Sequence, residues 1–140
     1  KQYFIQYSGI QNYIDDTLSK ARPDNYVETI LGRRRYVWDV NSDNALKKQA
    51  AERVAINMPI QGSAAELIKI AMIDIQKNIE NDKLNSKMIL QIHDELLFEY
   101  PLDEEEHLIS MVKKSMENAM SLKVPIIVDY GFGKDWFEAH

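Results

Sequence analysis

The sequence predicts an α+β fold built on antiparallel pairing. Three observations carry that expectation. Apolar residues recur at helical spacing in several separate stretches, strand-like runs lie between them, and two of those runs are separated by only two polar residues. Taken along the chain, the order is helix, hairpin, helices, hairpin, helix, strand, with helices and strands segregated rather than alternating singly. At 140 residues, with 45% hydrophobic and 28% charged residues, the chain has the length and composition of one soluble globular domain. It holds no cysteine, which removes disulfides, thiolate metal sites and cysteine nucleophiles.

The elements follow in order. Tyr3, Tyr7, Ile10, Ile14 and Leu18 lie three and four apart and form one helical face. Neither a cap residue nor an initiating Met precedes them, so the opening reads as an excerpt from a longer chain, with no secretory signal. Ser8-Gly9 is expected to interrupt or kink this helix, and Pro23-Asp24-Asn25 to turn the chain. Tyr26–Leu31 and Arg35–Val40 read as the strands of a small hairpin, with Gly32 and Arg33, Arg34 and Arg35 near its bend. A helix is expected from Asn44 to about Asn57, ending before Pro59, which disfavours helical geometry in the residue before it. Ser63 with Glu66 forms a capping-box pattern for a second helix, whose stripe is Leu67, Ile68, Ala71, Met72, Ile75 and Ile79. Lys87–Ile92 and Glu95–Tyr100 form a tight hairpin about His93-Asp94. Both strands are expected to be largely buried, with Met88, Leu90 and Ile92 on one face. Asp103 begins a helix that buries Leu108, Val112, Met116 and Met120. Pro125–Tyr130 reads as a third strand of the same sheet, with both helices on one face of it.

Net charge is −5, which argues against a wholly basic nucleic-acid binder. The charge is uneven: through Arg53 there are nine Lys and Arg against seven Asp and Glu, and from Val54 onward eight against fifteen. Such a chain can hold a polyanion on one side and cations on the other, although a solvated surface has the same look. No apolar run approaches the roughly 18 residues that span a bilayer.

Two groups of residues carry chemistry. His93, Asp94 and Glu95 are three polar residues between two apolar strands. Adjacent carboxylates repel, and a divalent cation relieves that repulsion. Mg²⁺ in particular takes one or two protein carboxylates and completes its octahedron with water and phosphate. A hairpin bend that must stay wet has the same composition. Arg53 and Asn57, four apart, share a helix face, and Gln61 continues the line if the helix is only locally perturbed. Arg, Asn and Gln are the side chains that donate to phosphates, sugars and base edges, and they are equally common on a solvated face.

Together, the run Arg53–Ala65, the strand-bend-strand around Gln91-Ile92-His93-Asp94-Glu95, the turn Gly32–Tyr36 and Val124-Pro125 before Tyr130-Gly131 resemble the C-terminal part of family A DNA polymerases, the bacterial DNA polymerase I type. The resemblance is collinear from about Tyr3 to His140. It implies that residues up to about 60 are the end of the fingers and its connection, and that residues from about 61 to 140 are palm. It implies that Asp94 is the second catalytic aspartate, holding two Mg²⁺ ions (Mn²⁺ as a possible substitute), with Glu95 supporting it and His93 near the primer terminus. Arg53, Asn57, Gln61 and His93 would then contact primer–template DNA. The implied reaction is two-metal nucleotidyl transfer from deoxynucleoside triphosphates, in the cytoplasm, from a bacterial-type source with organelle and phage origins left open. The resemblance is incomplete. The family's first catalytic aspartate, in an Asp-Tyr-Ser motif, is missing, as is the fingers helix that grips the nucleotide's phosphates. Trp38 stands where the family often has Pro. The isolated chain is therefore expected not to polymerise without upstream segments of its parent. Two other classes are compatible with the residues: another metal-dependent phosphoryl-transfer enzyme completing its site with an acid such as Asp129, and a non-catalytic DNA-binding module.

Overall fold

The computed structural model describes residues 7–139. Tyr3 of the expected first stripe lies outside them. Helices and two small antiparallel sheets make up the chain, so the α+β class holds. It divides into two compact units, Lys1–Ala64 and Ala65–His140.

In the first unit, helix α1 (Ser8–Asp24) begins at the Ser8-Gly9 pair rather than kinking there. It also runs through Pro23. The expected turn is made by its last residue, Asn25, which takes the left-handed conformation (φ 56°) and donates its N–H to the Ala21 carbonyl at 2.8 Å. Asn41 donates its side-chain amide to the Arg22 carbonyl at 2.7 Å, satisfying another carbonyl of the last turn. The hairpin forms with shorter strands than the sequence suggests, β1 (Tyr26–Glu28) and β2 (Arg34–Tyr36), paired Tyr26 to Tyr36. Its loop is closed by Thr29, whose carbonyl and hydroxyl accept from Gly32 and Arg33 at 3.0 Å each. Gly32 sits at φ 84°, a conformation that costs glycine little. A single 3₁₀ turn, Trp38–Asn41, leads on. The core of this unit is Ala21, Val27, Val37, Val40 and Ala55, with Leu18, Ala51 and Met58 against it.

Helix α2 (Ala45–Asn81) is the main departure from expectation. It is one helix of 37 residues with Pro59 inside, not two helices separated before Pro59. Asn44 caps its start, accepting from the Leu46 and Lys47 N–H groups at 3.0 and 3.2 Å. Ser63 is therefore not a helix cap but an interior residue.

In the second unit, Ala71, Ile75 and Ile79 of α2 and Leu108 of helix α3 (Glu105–Glu117) form the core, with Met111, Val112 and Met116 beside them. Helix α3 starts after a 3₁₀ turn (Leu102–Glu104) instead of at Asp103, and stops before Met120, which is not on its buried face. Ser115 of α3 donates to the Asp74 carboxylate of α2 at 2.6 Å. Glu104 accepts four hydrogen bonds from Asn85 and Ser86, each from the backbone N–H and the side chain. These bonds hold its carboxyl below the usual range, the Asn85 amide foremost.

Strands β3 (Lys87–Ile92) and β4 (Glu95–Glu99) pair antiparallel, with a bulge between Met88 and Leu90. The bulge changes the expected faces. Met88 opposes Phe98, and with Leu96 they pack on the α2–α3 core. Leu90 opposes Leu97 and Ile92 opposes Glu95, so Leu90 and Ile92 lie on the other face. Both helices thus cover one face of the hairpin, as expected. The strands are half-buried, not largely buried, because that second face is open. Pro125–Tyr130 forms no strand. Pro125 has no N–H to give a ladder, and the Val128 N–H points to the Glu117 carboxylate at 3.4 Å rather than to a strand edge. The chain ends in a short helix α4 (Trp136–Ala139), onto which Gly131 folds closely enough that a Cβ would meet the Ala139 carbonyl. Among the described residues no helix is long and apolar enough to cross a membrane.

Candidate active site

The expected site residues fall on two structural devices, one in each unit. Arg53, Asn57 and Gln61 belong to the first unit and occupy one continuous face of α2, at intervals of four residues. All three are exposed, while Ala55 on the opposite side is fully buried. The alignment of Gln61 with the other two depends on the helix surviving Pro59. A proline removes one helical N–H and its ring crowds the carbonyls of the preceding turn. Here two hydroxyls act at that turn. Tyr13 of α1 donates to the Ile56 carbonyl at 2.8 Å, and Ser63 donates to the Pro59 carbonyl. Ser63 also accepts from the Ile30 N–H of the hairpin loop at 2.9 Å. Gly62 sits under the same loop: a Cβ there would lie 2.7 Å from the Thr29 γ-methyl. Among the described residues no hydrogen bond or ion pair engages the side chains of Arg53, Asn57 or Gln61, so they are available to a ligand.

His93, Asp94 and Glu95 belong to the second unit. His93 and Asp94 are the two loop residues of the β3–β4 hairpin, and Glu95 opens β4. All three are exposed. His93 has φ 54°, a left-handed value that a side chain other than glycine adopts at a cost. Its carbonyl accepts from the Gln91 side-chain amide at 3.0 Å, which ties the turn back to β3. Opposite Ile92, Glu95 lies on the hairpin face away from the helices. Neighbouring carboxylates at an open turn offer hard oxygen donors. Among the described residues no group of three or more acids or histidines gathers to enclose a metal. This donor set suits a cation that takes few protein ligands and draws the rest from water and substrate, as Mg²⁺ does.

Sequence reasoning missed Ser63, Tyr13 and Gly62 as supports of the α2 face. A serine four residues after a proline was the available signal, since its hydroxyl can reach the carbonyl four residues back. No comparable signal pointed to Tyr13, whose partner is far along the chain.

The sequence matches the profile of DNA polymerase family A over residues 1–138. It is 48% identical over 136 residues to DNA polymerase I of Mycobacterium leprae, covering 97% of this chain and 15% of that protein. With DNA polymerase I of Deinococcus radiodurans the identity is again 48% over 136 residues, covering 97% of this chain and 14% of the other. DNA polymerase I of Geobacillus stearothermophilus is 43% identical over 139 residues, 99% of this chain and 16% of that one. The chain thus spans about one seventh of the length of these relatives. Its structure is similar to the POL domain of Pol1 from M. smegmatis, solved in complex with DNA primer-template and dNTP. The TM-score is 0.96 and the identity 46%, over 99% of this chain and 24% of that one. A family profile matched over residues 1–138, with relatives 43–48% identical along nearly the whole chain, shows that this chain belongs to DNA polymerase family A.

Proposed function

We propose that this chain is the C-terminal part of the polymerase domain of a DNA-directed DNA polymerase. In this reading, residues up to about 60 form the end of the fingers and its connection, and residues from about 61 to 140 form palm. The observation that carries it is the alignment of Arg53, Asn57 and Gln61 on one exposed face of α2, in a chain similar to a polymerase solved with primer-template and dNTP.

The residues act through ordinary chemistry. The Arg53 guanidinium donates to a phosphate of the primer–template duplex through its planar fork of N–H groups. Asn57 and Gln61 carry amide donors that suit sugar oxygens and the acceptors of the minor groove, which A·T and T·A pairs share. Asp94 and Glu95 would hold Mg²⁺, or Mn²⁺ in its place, with Asp94 the principal ligand and Glu95 its support. Bound Mg²⁺ supplies activation of the primer 3′-hydroxyl and neutralisation of the leaving pyrophosphate. His93 stands next to Asp94 on the turn, where it would face the primer terminus. Segments of the parent upstream of this chain supply the first catalytic aspartate and the helix that binds the triphosphate. The parent works on DNA in the cytoplasm of a bacterial-type cell.

The test is primer extension. The full-length parent should extend a primer on a DNA template with Mg²⁺ or Mn²⁺, and chelation by EDTA should stop it. The 140 residues alone should give no product. Template-directed extension by those residues alone, or extension by the parent after complete chelation, would contradict the proposal.

A further inference from the structure

Gln61 follows the helix proline by two residues, and its amide has no partner of its own among the described residues. Its direction is therefore set by where the backbone of α2 carries it. That backbone is fixed from the other side of the helix. Ser63 lies two residues on, about 200° around the axis at the helical 100° per residue, and is 6% exposed. Its hydroxyl donates to the Pro59 carbonyl and accepts the Ile30 N–H at 2.9 Å. One oxygen thus joins the helix just past its proline to the loop of the β1–β2 hairpin. The Ile30 N–H is part-buried, and removing the hydroxyl takes away the acceptor that ties it to α2. Gly62 allows the contact, since the Thr29 γ-methyl already occupies the space where a Cβ would stand.

We propose that Ser63 is a positioning residue for Gln61: by latching the Pro59 carbonyl to the Ile30 amide, it fixes the direction in which α2 delivers Gln61 to the primer–template duplex. This rests on the reading of Gln61 as a duplex contact. Ser63 touches neither DNA nor nucleotide. It acts by holding the helix in register across a residue that would otherwise let it swing.

The experiment is a double-mutant cycle in the full-length polymerase, measuring single-turnover extension from matched and mismatched primer termini. Gln61→Ala should slow extension from the matched terminus by about tenfold and alter the matched-to-mismatched ratio. Ser63→Ala should change that ratio in the same direction, lowering the maximal rate more than the apparent affinity for nucleotide. In the Gln61→Ala background, Ser63→Ala should cost less than about twofold more, because the residue it positions is gone. Ser63→Thr keeps the hydroxyl and should restore the parental ratio. If Ser63→Ala does not fold, Ser63→Cys, with its weak donor and acceptor, is judged by the same criteria. A loss of equal size in both backgrounds, or a parental ratio in the Ser63 variant, overturns the proposal while leaving Gln61 a duplex contact. Parental extension by Gln61→Ala shows instead that the duplex reading fails, and the positioning role fails with it.

Discussion

The exposed face of α2 and the β3–β4 turn present functional groups in opposite ways. On α2 the backbone around Asn57 and Gln61 is held by the Tyr13 hydroxyl on Ile56 and by Ser63 between Pro59 and Ile30, and the helix is capped at its start by Asn44. Among the described residues no hydrogen bond or ion pair engages the side chains of Arg53, Asn57 and Gln61 themselves. At the turn, geometry comes from the hairpin register and from a strained residue, His93 at φ 54°, tied by the Gln91 amide to its carbonyl. Under the proposed function, a surface that grips a regular duplex would need donors at fixed intervals, which a pinned helix can give. Under the same function, a carboxylate that holds a cation shared with substrate would need to project from the end of a rigid element, which a two-residue hairpin can give.

That contrast can be broken by exchanging what each region tolerates. Gly62→Ala should destabilise the first unit by about 1–3 kcal/mol, although alanine is ordinarily the better helix residue, because the new Cβ would stand 2.7 Å from the Thr29 γ-methyl. Thermal unfolding of the chain checks it, and a raised melting temperature would show that the hairpin loop is not pressed against α2. The smaller effect is at the turn. His93→Gly removes the left-handed penalty but loosens the unfolded chain, so stability should change by less than about 1 kcal/mol, on the stabilising side. Primer extension by the full-length variant should nonetheless fall. A large loss of stability would mean that the His93 ring packs against the hairpin, and unchanged extension would remove His93 from the primer terminus.

The same contrast explains what the sequence revealed. The β3–β4 hairpin was legible because His93 and Asp94, both polar, separate a pair of apolar runs, a local pattern with a local outcome. Its bulge was not legible, since Met88, Ile89 and Leu90 are all apolar and nothing marks which of them is the extra residue. The break expected at Pro59 was wrong for a tertiary reason: Tyr13 and the Ile30 amide are remote in sequence, and local propensity takes no account of them. Pro125–Tyr130 has the composition of a strand, but a strand needs a paired edge, and none forms with this segment among the described residues. The candidate site residues were found by residue type at fixed spacing and by family resemblance. What was misjudged is the burial of strands β3 and β4, which were expected to be largely covered on both faces.

The most direct test of the account is Asp94→Asn in the full-length parent, measured by single-turnover nucleotide incorporation over a titration of primer–template DNA. The substitution keeps the size of the side chain and removes its charge at an exposed turn, so folding and DNA affinity should stay near the parental values. The incorporation rate should fall by on the order of a thousandfold, since several kcal/mol of transition-state stabilisation depend on the metals and each ~1.4 kcal/mol is tenfold in rate. Glu95→Gln should cost much less. Near-parental incorporation by the Asp94→Asn enzyme would contradict the assignment of the turn as the metal-holding part of the active site.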